Sequence, residues 1–280
     1  MAETFDWGPR LGRGPSYFGI LNLTPDSFSD GGRFQAPEAA LAQARRLVQA
    51  GAGMLDVGAE STRPGAAPVD PREEWARLGP VLALLSSELP QVPLSLDTRH
   101  PEVAERGLGA GVAALNDVTG FSDPGMLALA RAADCGLIAM RSRTREGALW
   151  MPAYDDPGES DDDLAVAEMA AVRDRLLGAG IARDRILLDP GFGFGTTYEE
   201  DTALWRGLAT LPRRLDWPAE RFCLGLSRKR FLAWRAGRPG LPPTARDALT
   251  AEAHREAGVW GFRVFRTHAL PDPTGREARL

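Results

Sequence analysis

The chain has 280 residues, 44% hydrophobic and 25% charged, with a formal net charge of −5. That is ample for one large α/β core, and the sign argues against a nucleic-acid groove or an anionic membrane as the main partner. MAETFDWGPR lacks the flanks of a secretory signal, no apolar run approaches about 18 residues, and Cys135 and Cys223 stand far apart, so a cytoplasmic protein is expected.

Residues 1–15 read as an N-terminal extension and 16–280 as one domain. The first short β-rich run is YFGILNLT (17–24). A helix follows in APEAALAQARRLVQAGAG (36–53), with Pro37 in its first turn, Leu41, Ala44 and Val48 on one face, and Gly51 ending it. Then come GMLDVG (53–58) and VPLSLDT (92–98), a helix begun by Pro101 in PEVAERGLGAG (101–111), and the strands AALNDVT (113–119) and GLIAMR (136–141). RSRTREGALWMPAYDDPGESDDDL (141–164), basic and then acidic, reads as a mobile insertion or a substrate lid. The runs ILLDP (186–190), RFCLGLS (221–227) and GFRVFRTH (261–268) complete a set of eight. Apolar runs without strict alternation suit parallel strands buried on both faces. Their repeated alternation with helices predicts an α/β fold, a single-domain (β/α)8 TIM barrel, ahead of an open doubly wound sheet.

The strands end in polar residues: Asn22; Thr62 and Arg63; Asp97; Asn116 and Asp117; Met140 and Arg141; Asp189; Ser227 to Lys229; Arg266 and His268. An Asp after one strand is usually a cap or turn residue. A full set at the C-terminal ends of barrel strands is where such enzymes place their chemistry. Lys229 is the only lysine, every other basic residue being Arg, and it stands in LGLSRKRFL (224–232). Arg offers a planar fork, whereas Lys offers a compact ammonium that can release its proton. Arg228 stands where a Walker A loop needs its Lys, and DPGFGFGTT carries Thr196 where the dinucleotide fingerprint needs its third Gly, so neither nucleotide motif is present. His100, His254 and His268 form no HExxH and no zinc-type cluster.

Taken in order, GILNLTPDSFSDGG (19–32), LDVGAESTRPGA (55–66), LNDVTGF (115–121), LDPGFGFGTT (188–197), GLSRKRF (225–231) and RTH (266–268) resemble the motif set of the dihydropteroate synthase family. The resemblance implies a transferase of folate biosynthesis that joins 6-hydroxymethyl-7,8-dihydropterin diphosphate to p-aminobenzoate and releases pyrophosphate. It places the pterin on Asp97, Asn116, Met140, Asp189, Phe194 and Lys229, and the diphosphate on Asn22, Thr62, Arg63, Arg266 and His268. Phe28, Pro64, Phe194, Ser227 and Arg230 fall to p-aminobenzoate, Asn22 to a Mg²⁺ ion, and Asp30, Arg63, Asp97 and Lys229 to the catalytic step. The physical chemistry agrees: a buried carboxylate can accept the paired donors of the pterin edge, and metal and cations stabilise a departing diphosphate.

The match has four departures. Thr196 replaces a family Lys, Arg230 replaces the Ser of SRKS, and Met140-Arg141-Ser142-Arg143 replaces a His-Met-Gln-type segment. Only 12 residues follow His268, with Pro271, Pro273 and Gly275 among them, which leaves no room for the eighth helix that helps build the family's homodimer. Two alternatives follow, a methyltetrahydrofolate methyltransferase-like pterin barrel or a catalytically weak pterin-binding paralogue. A Schiff-base aldolase using Lys229 is disfavoured by the flanking Arg228 and Arg230.

Overall fold

In the computed structural model, residues 4–23, 36–60, 68–145, 148–150 and 152–271 are described. The chain runs β1 (Ser16–Asn22), α1 (Ala36–Gln49), β2 (Ala52–Gly58), α2 (Pro71–Glu88), β3 (Leu94–Asp97), α3 (Pro101–Gly109), β4 (Ala114–Asp117) and α4 (Pro124–Ala132). It continues through β5 (Gly136–Met140), α5 (Asp163–Gly178), β6 (Ile186–Asp189), α6 (Tyr198–Gly207), β7 (Cys223–Leu224), α7 (Arg230–Arg235), α8 (Asp247–Val259) and β8 (Val264–Thr267). The strands pair in the order β6-β5-β4-β3-β2-β1-β8-β7, all in parallel, and a bridge from Leu188 to Phe222 joins the two ends. The eight predicted strands form one (β/α)8 barrel. The residues beyond Pro271, on which the missing eighth helix was inferred, lie outside the described part.

Local chemistry sets the helix starts. Asp70 and Asp123 cap α2 and α4 by accepting backbone N–H groups, and Pro71, Pro101 and Pro124 occupy first helical positions where no N–H is needed. Thr197 and Glu200 form a reciprocal capping box at the start of α6.

The pleat divides each strand into two faces. Leu21, Leu55, Val57, Leu96, Leu115, Leu137, Ile186, Leu188, Leu224 and Phe265 face the helices and form the main core. Phe18, Met54, Ala114, Ile138, Leu187, Cys223 and Val264 face the barrel interior near its N-terminal end, where Phe5 and Trp7 pack against them. Trp7 is fixed there by its indole N–H, which donates to the Arg185 carbonyl at 2.9 Å. The segment before β1 thus closes the floor of the barrel, so polar chemistry is confined to the opposite mouth.

In its described part the segment after β5 carries a short antiparallel pair and one buried ring. Thr144–Arg145 pairs antiparallel with Ala148–Leu149, and Tyr154 is only 4% exposed. Cys135 and Cys223 are buried and unpaired, and among the described residues no helix is long and apolar enough to cross a membrane.

Candidate active site

Strand parity decides which polar residues reach the interior. Phe18 and Met54 face inward, so Ile20 and Asn22 on β1 and Asp56 and Gly58 on β2 do as well. The register sets Asn22 beside Gly58, Gly58 beside Asp97, Asp97 beside Asn116, and Met140 beside Asp189. On β8, Val264 faces inward and therefore so does Arg266. Asn22, Asp97, Asn116, Met140, Asp189 and Arg266 share one interior wall at the C-terminal mouth. Asp117 has the opposite parity and serves the turn after β4, accepting from the N–H groups of Thr119 and Phe121 at 2.7 and 2.9 Å.

At the centre lies Asp56, fully buried. One of its oxygens accepts from the Asn116 amide at 3.0 Å and from Arg266 Nε, while Oδ1 has no partner among the described residues. The other arm of Arg266, Nη2, reaches Asp97, so the guanidinium ties two carboxylates together. Burial works against that cation, yet Asp56 and Asp97 hold its pKa above the usual Arg value. Burial raises Asp97 to about 7, against the pull of Arg266 and with the push of Asp56. Asp189 is also raised by burial, and the Gly191 N–H, Lys229, Arg266 and Arg141 oppose the rise. Asp56 was not among the predicted site residues. Its signal was an acid inside the apolar run GMLDVG, at the same parity as Met54.

Two turns bring Lys229 to this wall. In the first, DPGFGFG, Gly191, Gly193 and Gly195 all take positive φ (71°, 72° and 75°), which only Gly adopts readily. The buried carboxylate of Asp201 organises this turn, accepting from the Gly193 N–H at 3.0 Å and the Thr196 hydroxyl at 2.8 Å. Thr196, one of the departures, is therefore an internal tie. In the second turn, Ser-Arg-Lys, Arg228 sits at φ 59°, a left-handed conformation that costs a non-Gly residue about 1–3 kcal/mol. Asp247 clamps its guanidinium at 2.7 and 2.8 Å, Thr250 accepts its N–H at 3.1 Å, and Arg246 donates to its carbonyl at 2.9 Å. The strained turn sends Lys229 over the ring of Phe194, 3.8 Å from its centroid. Burial lowers Lys229 to about 8, while Asp189 and Asp201 oppose the loss of its proton. Between the turns, a Cβ at Gly225 would stand 3.0 Å from Asp189 Oδ2, so a larger residue just after β7 would crowd this carboxylate.

The remaining predicted residues divide. Ser227 is 6% exposed and its Oγ accepts the His268 N–H at 3.0 Å, linking the ends of β7 and β8. Arg230 is exposed at the rim, its guanidinium 4.4 Å from the centre of the Tyr154 ring. In the post-strand-five departure, Arg141 donates to the Pro190 carbonyl at 2.7 Å and to Glu168 at 2.8 Å. Arg143 holds the Gly195 carbonyl at 3.0 Å and Glu200 at 2.7 Å. Both arginines brace the glycine turn. Arg99 is held bidentately by Glu60, and His100 Nδ1 meets Glu74 at 2.6 Å, so both side chains are already engaged beside the mouth. Phe28, Asp30, Thr62, Arg63 and Pro64 lie outside the described residues.

A family match decides what such a mouth belongs to. The sequence model described as pterin binding enzyme matches residues 18–268, nearly the whole barrel. The chain belongs to this pterin-binding family. It is 39% identical over 262 residues to a dihydropteroate synthase of Neisseria meningitidis serogroup C, covering 91% of this chain and 87% of that one. Among solved structures, a dihydropteroate synthase from Clostridium difficile, determined in the presence of pteroic acid, superposes with a TM-score of 0.80 at 32% identity, covering 93% of each chain. The Xanthomonas albilineans dihydropteroate synthase with 4-aminobenzoic acid gives 0.78 at 37% identity, covering 92% of this chain and 89% of that one.

Proposed function

We propose that the chain is a dihydropteroate synthase, joining 6-hydroxymethyl-7,8-dihydropterin diphosphate to p-aminobenzoate with release of pyrophosphate. The observation that carries this reading is the single interior wall formed by Asp97, Asn116, Asp189 and Arg266, with Lys229 delivered beside it. The pterin edge presents two adjacent donors, and the buried carboxylate of Asp189 accepts them as charged hydrogen bonds. Asn116 gives its N–H to Asp56, which fixes the amide and leaves its oxygen to accept from the ring. Lys229, an ammonium below pH about 8, donates to the ring carbonyl and N5 from one point.

In the reaction the bond between the pterin methylene and the diphosphate oxygen breaks, and its electron pair leaves with pyrophosphate. The amine lone pair of p-aminobenzoate forms the new C–N bond, and the displaced amine proton passes to solvent. An ionised Asp97 favours positive charge at the methylene. Arg266 uses Nε and Nη2 on the two carboxylates, which leaves Nη1 without a protein partner among the described residues and able to meet a phosphate oxygen. Arg63 and His268 join it in the family pattern.

A Mg²⁺ ion fits this donor set. Asn22 offers one hard oxygen at the mouth, and Mg²⁺ commonly keeps several waters and takes few protein ligands beside substrate phosphates. Bound through Asn22, the ion would neutralise charge on the leaving group. The unpaired Cys135 and Cys223 support a cytoplasmic location. The test is pyrophosphate release from the pterin diphosphate in the presence of Mg²⁺. Release that depends on p-aminobenzoate supports the assignment, and release at background with both substrates present refutes it.

A further inference from the structure

Arg230 occupies a place where the family has Ser, and the chain holds it in a particular way. Its guanidinium lies over the Tyr154 ring at 4.4 Å, and among the described residues it pairs with no carboxylate. Tyr154 is fixed on every side. Its hydroxyl donates to Asp201 at 2.7 Å, its carbonyl accepts the Tyr198 N–H at 2.8 Å, and its ring meets Trp234 and Tyr198 edge-on at 5.5 and 6.1 Å. Burial and the neighbouring Asp201 keep the phenol protonated. The same Asp201 holds the Gly193 N–H, and Gly193 lies against the Lys229 side chain. A single buried carboxylate thus supports both cations, Lys229 facing Phe194 and Arg230 facing Tyr154.

We propose that Tyr154 is a positioning residue for Arg230, and that the pair makes the site selective for aryl amines carrying a carboxylate opposite the amine. The inference rests on the synthase reading and deepens it. An amine that attacks beside Lys229 must point the far end of its ring toward the rim. A guanidinium already stacked on a buried phenol meets a carboxylate there without first being ordered. Arg also offers two parallel donors, which one hydroxyl cannot. The segment that carries Tyr154 follows the short antiparallel pair after β5, so Arg230, a departure from the family pattern, is seated by a residue far from it in sequence.

The test compares p-aminobenzoate with its neutral isostere p-aminobenzamide as substrates of the full-length protein. Arg230→Ala should raise KM for p-aminobenzoate by about 10- to 100-fold, the value of a charged hydrogen bond, and change KM for the amide little. Tyr154→Leu should raise KM for p-aminobenzoate by about 3- to 10-fold relative to Tyr154→Phe, which loses the same hydroxyl bond to Asp201, while KM for the amide differs little between the two variants. Tyr154→Phe keeps the ring and should restore the preference for the acid, and the double variant Tyr154→Leu/Arg230→Ala should be no worse than Arg230→Ala alone. An unchanged acid-to-amide ratio in Tyr154→Leu, or equal losses with both amines, overturns the proposal. Should Tyr154→Leu not fold, an unchanged ratio in Arg230→Ala overturns it equally. A wild type that turns over while these ratios stay flat fails the proposal alone; a wild type that forms product with neither amine fails the synthase reading and the proposal with it.

Discussion

Replacing Asp189 by Asn separates charge from shape in the pterin site. Asp189 is 5% exposed, its Oδ1 accepts the Gly191 N–H at 2.8 Å, and its Oδ2 faces the backbone of Gly225. Asn fills the same space. In the ligand-free protein, burial already opposes ionisation of this group, while Lys229, Arg266 and Arg141 favour it. Neutralising it removes opposing contributions together, and folding stability should change little. With pterin bound the balance differs. The Gly191 N–H claims the amide oxygen, which turns the amide NH₂ toward ring donors that need an acceptor. The loss of a charged hydrogen bond with a mispaired buried group costs roughly 2–4 kcal/mol, equivalent to a roughly 30- to 1000-fold weaker Kd. Calorimetry with 6-hydroxymethylpterin, beside a thermal melt, reads both quantities. Unchanged affinity in a variant with an unchanged melt would refute the role given to Asp189.

Three further outcomes are expected. Lys229→Arg should fold normally yet lose about 10²–10³-fold in kcat with both substrates saturating, because a guanidinium cannot replace a point donor packed on Phe194; full activity contradicts this. In the wild type, kcat/KM for pterin diphosphate should fall below about 7 as Asp97 gains a proton and above about 8 as Lys229 loses one, and a flat profile across that range contradicts both assignments. His254 is buried against Phe265, both ring nitrogens lack partners among the described residues, and burial lowers its pKa to about 4. The unfolded imidazole takes its proton near 6.5, so stability should be full above that pH and drop by up to about 3 kcal/mol as pH falls through 4. His254→Phe should flatten this dependence in parallel melts, and an equal acid slope in both proteins contradicts it.

The barrel was legible because parallel strands buried on both faces leave short apolar runs, and each such run was found. The mouth was legible where polar residues closed a run: Asn22, Asp97 and Asp189 each end a strand, Asn116 stands one residue before the end of β4, and all four face inward. Asp56 was hidden because it lies within a run, and only the inter-strand register shows it beside Ser95 and inside the barrel. The floor was hidden as well, since Phe5 and Trp7 look like tail residues until they pack on Phe18 and Cys223. The arginines after β5 read as a charged insertion. Their role as braces of the glycine turn depends on contacts about fifty residues away in sequence, which no local pattern encodes. The same holds for Arg230, whose partner Tyr154 comes from that segment.

All of these roles presume that the mouth joins two molecules, and pterin binding alone is not enough. The most direct measurement is mass spectrometry of the product formed by the purified protein from pterin diphosphate, p-aminobenzoate and Mg²⁺, with pyrophosphate counted in parallel. The account predicts 7,8-dihydropteroate and one pyrophosphate for each molecule formed. Tight pterin binding with the diphosphate intact and no joined product would contradict it, and would make the chain a pterin-binding protein without this chemistry.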